Sequence, residues 1–279
     1  MDGGLLVEPG TERRRWWLLF ALLAVAASCW SLGAPLMTGH DESSQAVRSA
    51  AAARGEVLGV PVPLWENSVV AVQVPEAYGE AASVGDCFLG EPYEWFLEAP
   101  LNPPGRGACP QLDGSRHEVG VQTNQQRHPP IYPAVLGLPS LVFPDQLGVY
   151  LMRLVGSVVC AALLASGLVT AARFPRPRLA AVAALAALTP EIVYVAATMN
   201  TAGLETAAAF GLWMAALALA VGPAPPDARL VRRAGVALVA LCVARPLSPA
   251  FAVAALVVAA VLAGADRRRV LWARRDVRL

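Results

Sequence analysis

Lysine is absent from this 279-residue sequence, and charged residues of any kind are scarce. All 22 basic residues are arginines, set against 21 acidic residues, and charged residues make up only 15% of the chain. Most of the arginines fall in four short clusters that border long apolar runs: 13–15, 173–178, 229–233 and 267–278. A nucleic-acid-binding protein would instead carry a solvent-exposed basic stripe, so that class of function is excluded.

The sequence also lacks the short motifs of several common catalytic classes. It contains no HExxH, no Walker motif, no GxSxG and no CxxC. It therefore gives no support for a metalloprotease, an ATPase, a serine hydrolase or a thiol-redox protein. No internal repeat of 20–50 residues is apparent, and this disfavours a transporter built from repeated halves.

The sequence is rich in long uncharged runs. Hydrophobic residues make up 56% of it and the mean hydropathy is +0.50, more than a soluble core requires. We predict an all-α membrane protein with about six transmembrane helices and a large extracytoplasmic first loop. The predicted segments are a tail at 1–15, a first span at 16–37, a loop with juxtamembrane helices at 38–148, spans two to six at 149–265, and a second tail at 266–279.

Within 149–265 the predicted spans are 149–172, 179–197, 203–221 and two short ones in 234–265. The last stretch is too long for one crossing, and Arg245-Pro246 in its middle is suited to a hairpin tip. Six spans put every arginine cluster on one side, as the positive-inside rule requires. Both termini are then cytoplasmic, in a multi-pass protein of the cell membrane.

The charge of the first loop agrees with an extracytoplasmic position, because 38–128 carries five arginines against twelve acidic residues. A cleaved signal peptide is the alternative for the first span, but its length and its tryptophans favour an anchor. Cys87 and Cys109 share the loop, and we predict a disulfide between them; two unpaired thiols are the alternative.

Three parts of the loop have a recognisable local pattern. Residues 41–54 are alanine-rich and polar on one side, which predicts a short helix at the membrane surface. Residues 57–127 predict an irregular segment with a few short strands. The apolar stretch after His128-Pro129-Pro130 is too short to cross the bilayer, so an interfacial or re-entrant helix is expected.

Charged residues at the ends of the apolar segments are the candidates for a functional site, because charge is expensive in lipid. The predicted topology brings seven residues to the outer side: Asp41, Glu42, His128, Arg153, Glu191, Glu205 and Arg245. The structural alternative is that the arginines pair with Glu191 and Glu205, or extend to the interface.

The Asp41-Glu42 pair follows the first span directly. A carboxylate there could act as a general base toward a hydroxyl or bind a hard divalent cation. The alternative is an acidic cap on the helix that follows. His128 could bind a metal or a phosphate, although exposed loop histidines without either are common.

Several motifs together resemble a bacterial family of predicted membrane proteins labelled only as a domain of unknown function. They are Asp41-Glu42, Arg54-Gly55-Glu56, His128-Pro-Pro-Ile-Tyr, Tyr150-Leu-Met-Arg153-Leu, Thr189-Pro190 and Asn200-Thr-Ala-Gly-Leu-Glu205. The pattern also resembles, more distantly, the GT-C membrane glycosyltransferases, such as aminoarabinose and protein mannosyl transferases.

The resemblance to the GT-C enzymes implies a transferase, or a truncated remnant of one, that modifies an envelope glycan. It implies a polyprenyl-phosphate sugar as donor, Asp41 as base or metal ligand, and Arg153 and Arg245 as ligands of the donor phosphate. The chain departs from the pattern at Asn200-Thr201, where those enzymes often have an acid, and in being shorter than they are. The rival hypothesis is a non-enzymatic scaffold or accessory protein of envelope assembly.

Overall fold

The computed structural model describes residues 9–62, 69–79 and 114–273 of the chain. These residues divide into two compact units. The first unit holds 9–27, 158–196 and 202–273, and the second holds the described residues of 28–157 together with 197–201. Cys87 and Cys109 lie outside the described residues, so their disulfide stays a prediction.

The described residues are mostly helical. The helices are α1 (Pro9–Gly33), α2 (Glu42–Ala53), α3 (Ile131–Gly137), α4 (Gln146–Thr170), α5 (Pro177–Ala187), α6 (Pro190–Ala197), α7 (Thr201–Val221), α8 (Ala228–Cys242), α9 (Ser248–Leu262) and α10 (Ala265–Ala273). Single 3-10 turns are present at Gln125–Arg127, Leu138–Leu141 and Ala171–Arg173.

Three helical segments are long and apolar enough to cross a membrane, judged by length and composition. They are Gly10–Gly33, Gln146–Arg173 and Thr201–Val221. A fourth is possible by the same criteria if α5 and α6 count as one broken span, since they pass the test together but are bent by 60°. The chain is therefore a helical membrane protein whose described residues hold three or four candidate spans, and the predicted six are not confirmed.

The number of candidate spans differs from the predicted six in the last third of the chain. The predicted break at Arg245-Pro246 is present, because residues 243–247 separate α8 from α9. Each of those helices has only 15 residues. That is about 22 Å at the helical rise, which is short of a hydrocarbon core of about 30 Å. The start of α8 also carries three arginines, so its apolar part is shorter still.

The bend between α5 and α6 has a simple cause at Thr189-Pro190. Proline has no N–H to continue the helix, its ring clashes with the preceding turn, and the residue before it avoids the helical region. Accordingly α5 ends at Ala187 and α6 begins at Pro190. The predicted single span at 179–197 is thus two helices at an angle.

The second unit contains a three-stranded antiparallel sheet packed on α2. Its strands are β1 (Val60–Pro61), β2 (Val70–Pro75) and β3 (Glu118–Thr123), in the order β1-β2-β3 with Val72 opposite Val121. Alternate valines of β2 are buried in one core with the alanines of α2. The predicted short strands and a helix over 42–53 are both present, and that helix is mostly buried; its place at the membrane surface stays a prediction.

Helices α2 and α3 approach each other closely at Gly137. A Cβ atom there would overlap the backbone carbonyl oxygen of Ser49 and lie 2.9 Å from the Cβ of Ala53. Because a backbone atom cannot move aside cheaply, only glycine fits this contact.

We expect Gly137→Ala to lower the free energy of unfolding by about 1–3 kcal/mol through overpacking. Gly235→Ala is the matched control, because Gly235 is a helical glycine with no atom within 4 Å of its Cβ position. Alanine there should raise stability by up to about 1 kcal/mol through helix propensity. Thermal unfolding of both variants in detergent checks this, and equal midpoints would show that the close approach is not present.

Candidate functional site

Two fully buried charges of the second unit, Glu42 and Arg153, form an ion pair. Both side chains are fully buried, and the guanidinium grips the carboxylate through two bonds, Nε to Oε1 at 2.7 Å and Nη2 to Oε2 at 2.6 Å. This fork-to-fork geometry is the strongest arrangement that an arginine and a carboxylate can adopt.

The remaining donors of Arg153 also bind protein atoms. Its terminal nitrogens donate to the backbone carbonyl oxygens of Ser31, Ala34 and Pro35, each at 2.8 Å. Those carbonyl groups lie at the end of α1, where a helix leaves its last carbonyls without internal partners. Arg153 therefore caps α1 from α4, and all five of its N–H groups are used.

The carboxylate of Glu42 is occupied to the same degree. Besides Arg153, it accepts hydrogen bonds from the backbone N–H of Met199 at 3.1 Å and of Gly39 at 3.2 Å. A Cβ at Gly39 would lie 3.1 Å from Oε2 of Glu42, so glycine permits this approach. The roles predicted for Glu42 in catalysis and for Arg153 in phosphate binding would need these contacts to open. In the arrangement observed, the two residues hold four chain segments together.

Asp41 is arranged in the opposite way from its neighbour. It is exposed, and its nearest charged partner is His40, with His40 Nε2 and Asp41 Oδ2 3.5 Å apart. It stands at the N-cap position of α2 with φ +59° and makes no side-chain cap hydrogen bond. The acidic-cap alternative therefore does not account for Asp41.

The backbone before α2 is strained at two positions. Met37 has φ +61° and Asp41 has φ +59°, both in the left-handed region that residues other than glycine rarely adopt. Aspartate tolerates this region better than methionine, yet such conformations persist only where the surroundings enforce them. Here the Glu42–Arg153 pair and the Gly39 N–H provide that enforcement.

A polar cluster surrounds the first turn of α2. Gln45, which is buried, donates to Gln125 Oε1 at 2.9 Å and to Thr201 Oγ1 at 3.3 Å, and its amide lies 3.4 Å from His128 Nδ1. The other atom of this amide, Gln45 Oε1, is buried with no hydrogen-bond partner.

Asp41 and Gln45 belong to the same turn, because the backbone N–H of Gln45 donates to the carbonyl oxygen of Asp41 at 2.9 Å. Asn200 joins from the other side, donating to the carbonyl oxygen of His40 at 3.1 Å. We call Asp41, Gln45, His128, Asn200 and Thr201 the Asp41 cluster. Two residues predicted from the sequence thus contact Gln45 in the second unit, Asp41 through its backbone carbonyl oxygen and His128 through its ring.

The other predicted pair lies in the first unit. Arg245 Nη1 is 3.4 Å from Glu205 Oε2, and Ser248 Oγ donates to Glu205 Oε1 at 2.6 Å. The Arg245 side chain is 42% exposed, whereas that of Arg153 is fully buried. The structural alternative for Arg245 therefore has support from one long contact. Glu191, at the start of α6, is exposed.

A second buried arginine, Arg48, lies on α2. Arg48 donates to the backbone carbonyl oxygens of Val57 at 2.6 Å and Glu56 at 3.4 Å, while its Nε atom has no partner. Burial lowers the pKa of the Arg48 guanidinium, and the charge of Glu56 partly offsets this. Arg48 therefore links α2 to the loop that follows it by hydrogen bonds.

A divalent cation was one possible ligand of Asp41. Within residues 9–62, 69–79 and 114–273, no group of three or more His, Cys, Asp or Glu side chains is placed to hold a metal ion. A hard cation takes six or more oxygen ligands, and a single exposed carboxylate does not supply a site by itself. Binding of a divalent cation at Asp41 therefore stays a prediction.

Sequence reasoning did not find the partner of Arg153 or the part played by Gln45. It offered Glu191 or Glu205 as partners, whereas the partner is Glu42. Gln45 did carry a signal, since it lies four residues after Asp41 on the polar side of an alanine-rich helix.

A family model for predicted membrane proteins, DUF2142, matches residues 19–275 of the chain. No curated protein and no solved structure matches it. The family match covers nearly the whole chain. The chain therefore belongs to the DUF2142 family of predicted membrane proteins, whose function is unknown.

Proposed function

We propose that this DUF2142 protein is a GT-C-like glycosyltransferase that uses a polyprenyl-phosphate sugar to modify an envelope glycan. The proposal includes a cell-membrane location with both termini in the cytoplasm. It rests on the sequence resemblance given above and on one observation. Of two adjacent carboxylates after the first candidate span, Glu42 is locked in the interior while Asp41 is exposed in a strained conformation without a capping role.

Asp41 would act as the general base in this reaction. An acceptor hydroxyl gives its proton to the Asp41 carboxylate as its oxygen bonds to the anomeric carbon of the sugar. The bond between that carbon and the phosphate oxygen breaks, and polyprenyl phosphate leaves. A base held in place typically contributes about 10²–10⁴-fold to such a step.

His128 and Asn200 would bind and orient the substrates, because both have polar side chains beside the first turn of α2. The buried Gln45 and Thr201 would position the His128 ring, which both contact. Glu42 and Arg153 are positioning residues in this proposal, because they fix the turn that carries Asp41. Arg245 is the proposed ligand of the donor phosphate, since its side chain is 42% exposed and a guanidinium suits phosphate.

Binding of the donor is the direct test. The full-length protein in nanodiscs should bind at least one of a panel of polyprenyl-phosphate sugars more tightly than polyprenyl phosphate alone. Arg245→Gln should weaken that binding about tenfold or more, the loss expected for a charge-assisted hydrogen bond. Arg178→Gln, which removes an exposed arginine at the start of α5, is the matched control and should bind like the wild type.

The scaffold hypothesis remains the second candidate, because both Arg153 and Arg245 contact a glutamate. A scaffold needs the buried pair for stability and has no need of a free carboxylate at Asp41. If no polyprenyl-phosphate sugar binds better than polyprenyl phosphate, the transferase proposal fails and the scaffold replaces it.

A further inference from the structure

A cleft of about 190 Å³ lies in the first unit, between helices α4, α7 and α8. Its lining is mixed in character. Leu163 and Val236 are apolar, whereas three arginines of α8 are charged: Arg229, Arg232 and Arg233. None of these residues takes part in the Asp41 cluster.

The arginines of the cleft carry more positive charge than their surroundings neutralise. Arg233 pairs with Glu12, and Arg173 pairs with Glu12 and with Asp227, the latter at 2.9 Å. Arg229 and Arg232 are exposed, and neither forms an ion pair with any residue that the structure describes. Four arginines thus share two carboxylates, which leaves two positive charges at the mouth of the cleft.

The order of residues along α8 separates the charged end of the cleft from the apolar end. Arg229 lies in the first turn, capped by Asp227, whose side chain accepts a hydrogen bond from the Leu230 N–H at 2.8 Å. Val236 is seven residues further on, or about 10 Å along the axis, and is 56% exposed. Leu163 faces the same cleft from within α4, one of the candidate membrane spans.

A ligand that matches both ends is an amphiphile with a phosphate at one end and a hydrocarbon chain at the other. Guanidinium groups bind phosphate through paired N–H donors, and basic pockets between membrane helices favour anionic lipid head groups. Free phosphate would match the arginines but would leave the apolar wall uncovered.

We propose that this cleft binds an anionic membrane phospholipid, with the headgroup phosphate on Arg229 and Arg232 and an acyl chain along Leu163 and Val236. The site is independent of the proposed transferase activity, because none of its residues belongs to the Asp41 cluster or to the Glu205–Arg245 pair. It can therefore be tested without a sugar donor.

The test is a titration of the purified full-length protein in detergent with short-chain lipids, followed by native mass spectrometry. Dioctanoyl phosphatidylglycerol should bind more tightly than dioctanoyl phosphatidylcholine and than inorganic phosphate. The double variant Arg229→Gln with Arg232→Gln should weaken phosphatidylglycerol binding about 30-fold, since each arginine near anionic lipid contributes roughly fivefold. Val236→Ser should weaken it about fivefold through lost apolar contact and leave phosphate binding unchanged.

The matched control is Arg176→Gln with Arg178→Gln, which removes the same charge from two exposed arginines outside the cleft. That variant should bind phosphatidylglycerol within twofold of the wild type, and an equal loss in both double variants would mean diffuse attraction and overturn the site. Inorganic phosphate binding as tightly as phosphatidylglycerol would make it a free-phosphate site and also overturn the proposal. Added salt should weaken the binding of phosphatidylglycerol to the wild-type protein. If the wild type binds phosphatidylglycerol no more tightly than phosphatidylcholine at low salt, the proposal is overturned.

Discussion

Replacing Arg153 with methionine is expected to destabilise the second unit by about 3–5 kcal/mol, the usual result of removing one member of a buried ion pair. The substitution leaves the Glu42 carboxylate buried without its cation. It also removes the donors of the carbonyl groups of Ser31, Ala34 and Pro35. Apparent melting temperature and the yield of monodisperse protein in detergent measure the effect.

Arg245→Met is the matched control for this experiment. Arg245 has one 3.4 Å contact to Glu205 and is 42% exposed, so the same substitution should cost no more than about 1 kcal/mol. The loss of stability for Arg153→Lys should lie between the losses for Arg153→Met and Arg245→Met, because lysine keeps the charge but lacks the paired donors. Equal midpoints for Arg153→Met and Arg245→Met would refute the structural part assigned to the buried pair.

A double substitution separates the charge from the carbonyl contacts. Glu42→Leu with Arg153→Met removes both charges, so it should be more stable than either single variant. The double variant should still be less stable than the wild type, because the carbonyl groups at the end of α1 still lack donors. Full recovery would show that the ion pair alone accounts for the loss.

The membrane class of this chain was predictable because lipid imposes a strong requirement on sequence. Long uncharged runs can be recognised directly in the sequence, and the family model matches nearly all of the chain. The helix after the first span was also predictable from its alanine content, although its burial was not. Asp41 and Glu42, at the start of α2, were identified as a pair but not separated into their two environments.

The number of spans was harder to predict, because the sequence signal does not distinguish a membrane-crossing helix from a shorter one. The stretch 234–265 has enough apolar residues for more than one crossing. The break at 243–247 separates the end of α8 from α9, and each of these helices has 15 residues, too few to cross the bilayer. The bend at Thr189-Pro190 likewise depends on how the freed backbone groups are satisfied, which a pattern of apolar residues does not specify.

The partner of Arg153 was not predictable because it comes from residues far apart in the sequence. Glu42 reaches Arg153 only because the backbone turns sharply after α1, at Met37, Gly39 and Asp41. Left-handed backbone at methionine and aspartate has no reliable signature in sequence. The same turn exposes Asp41, so the unpredictable part of the structure is also the part that separates a structural carboxylate from a free one.

Replacing Asp41 with asparagine should lower transfer activity by about 10²–10⁴-fold, because asparagine cannot accept the proton of the acceptor hydroxyl. The fold should survive, since Asp41 is exposed and makes no cap hydrogen bond. Release of polyprenyl phosphate from the donor that binds the wild type measures the activity, and the melting temperature in detergent measures the fold.

Asp41→Gly makes the experiment more stringent, because it removes the carboxylate and favours the backbone conformation at the same time. With φ +59°, glycine at this position should keep stability unchanged or raise it by up to about 1 kcal/mol. A glycosyltransferase would then lose its activity while gaining stability, a combination that a structural role for Asp41 cannot produce. Glu42→Gln should have the opposite effect on stability: it should lower the stability, because it disrupts the bidentate contact with Arg153. If Asp41→Asn and Asp41→Gly both retain full activity with a wild-type donor affinity, Asp41 is not the base.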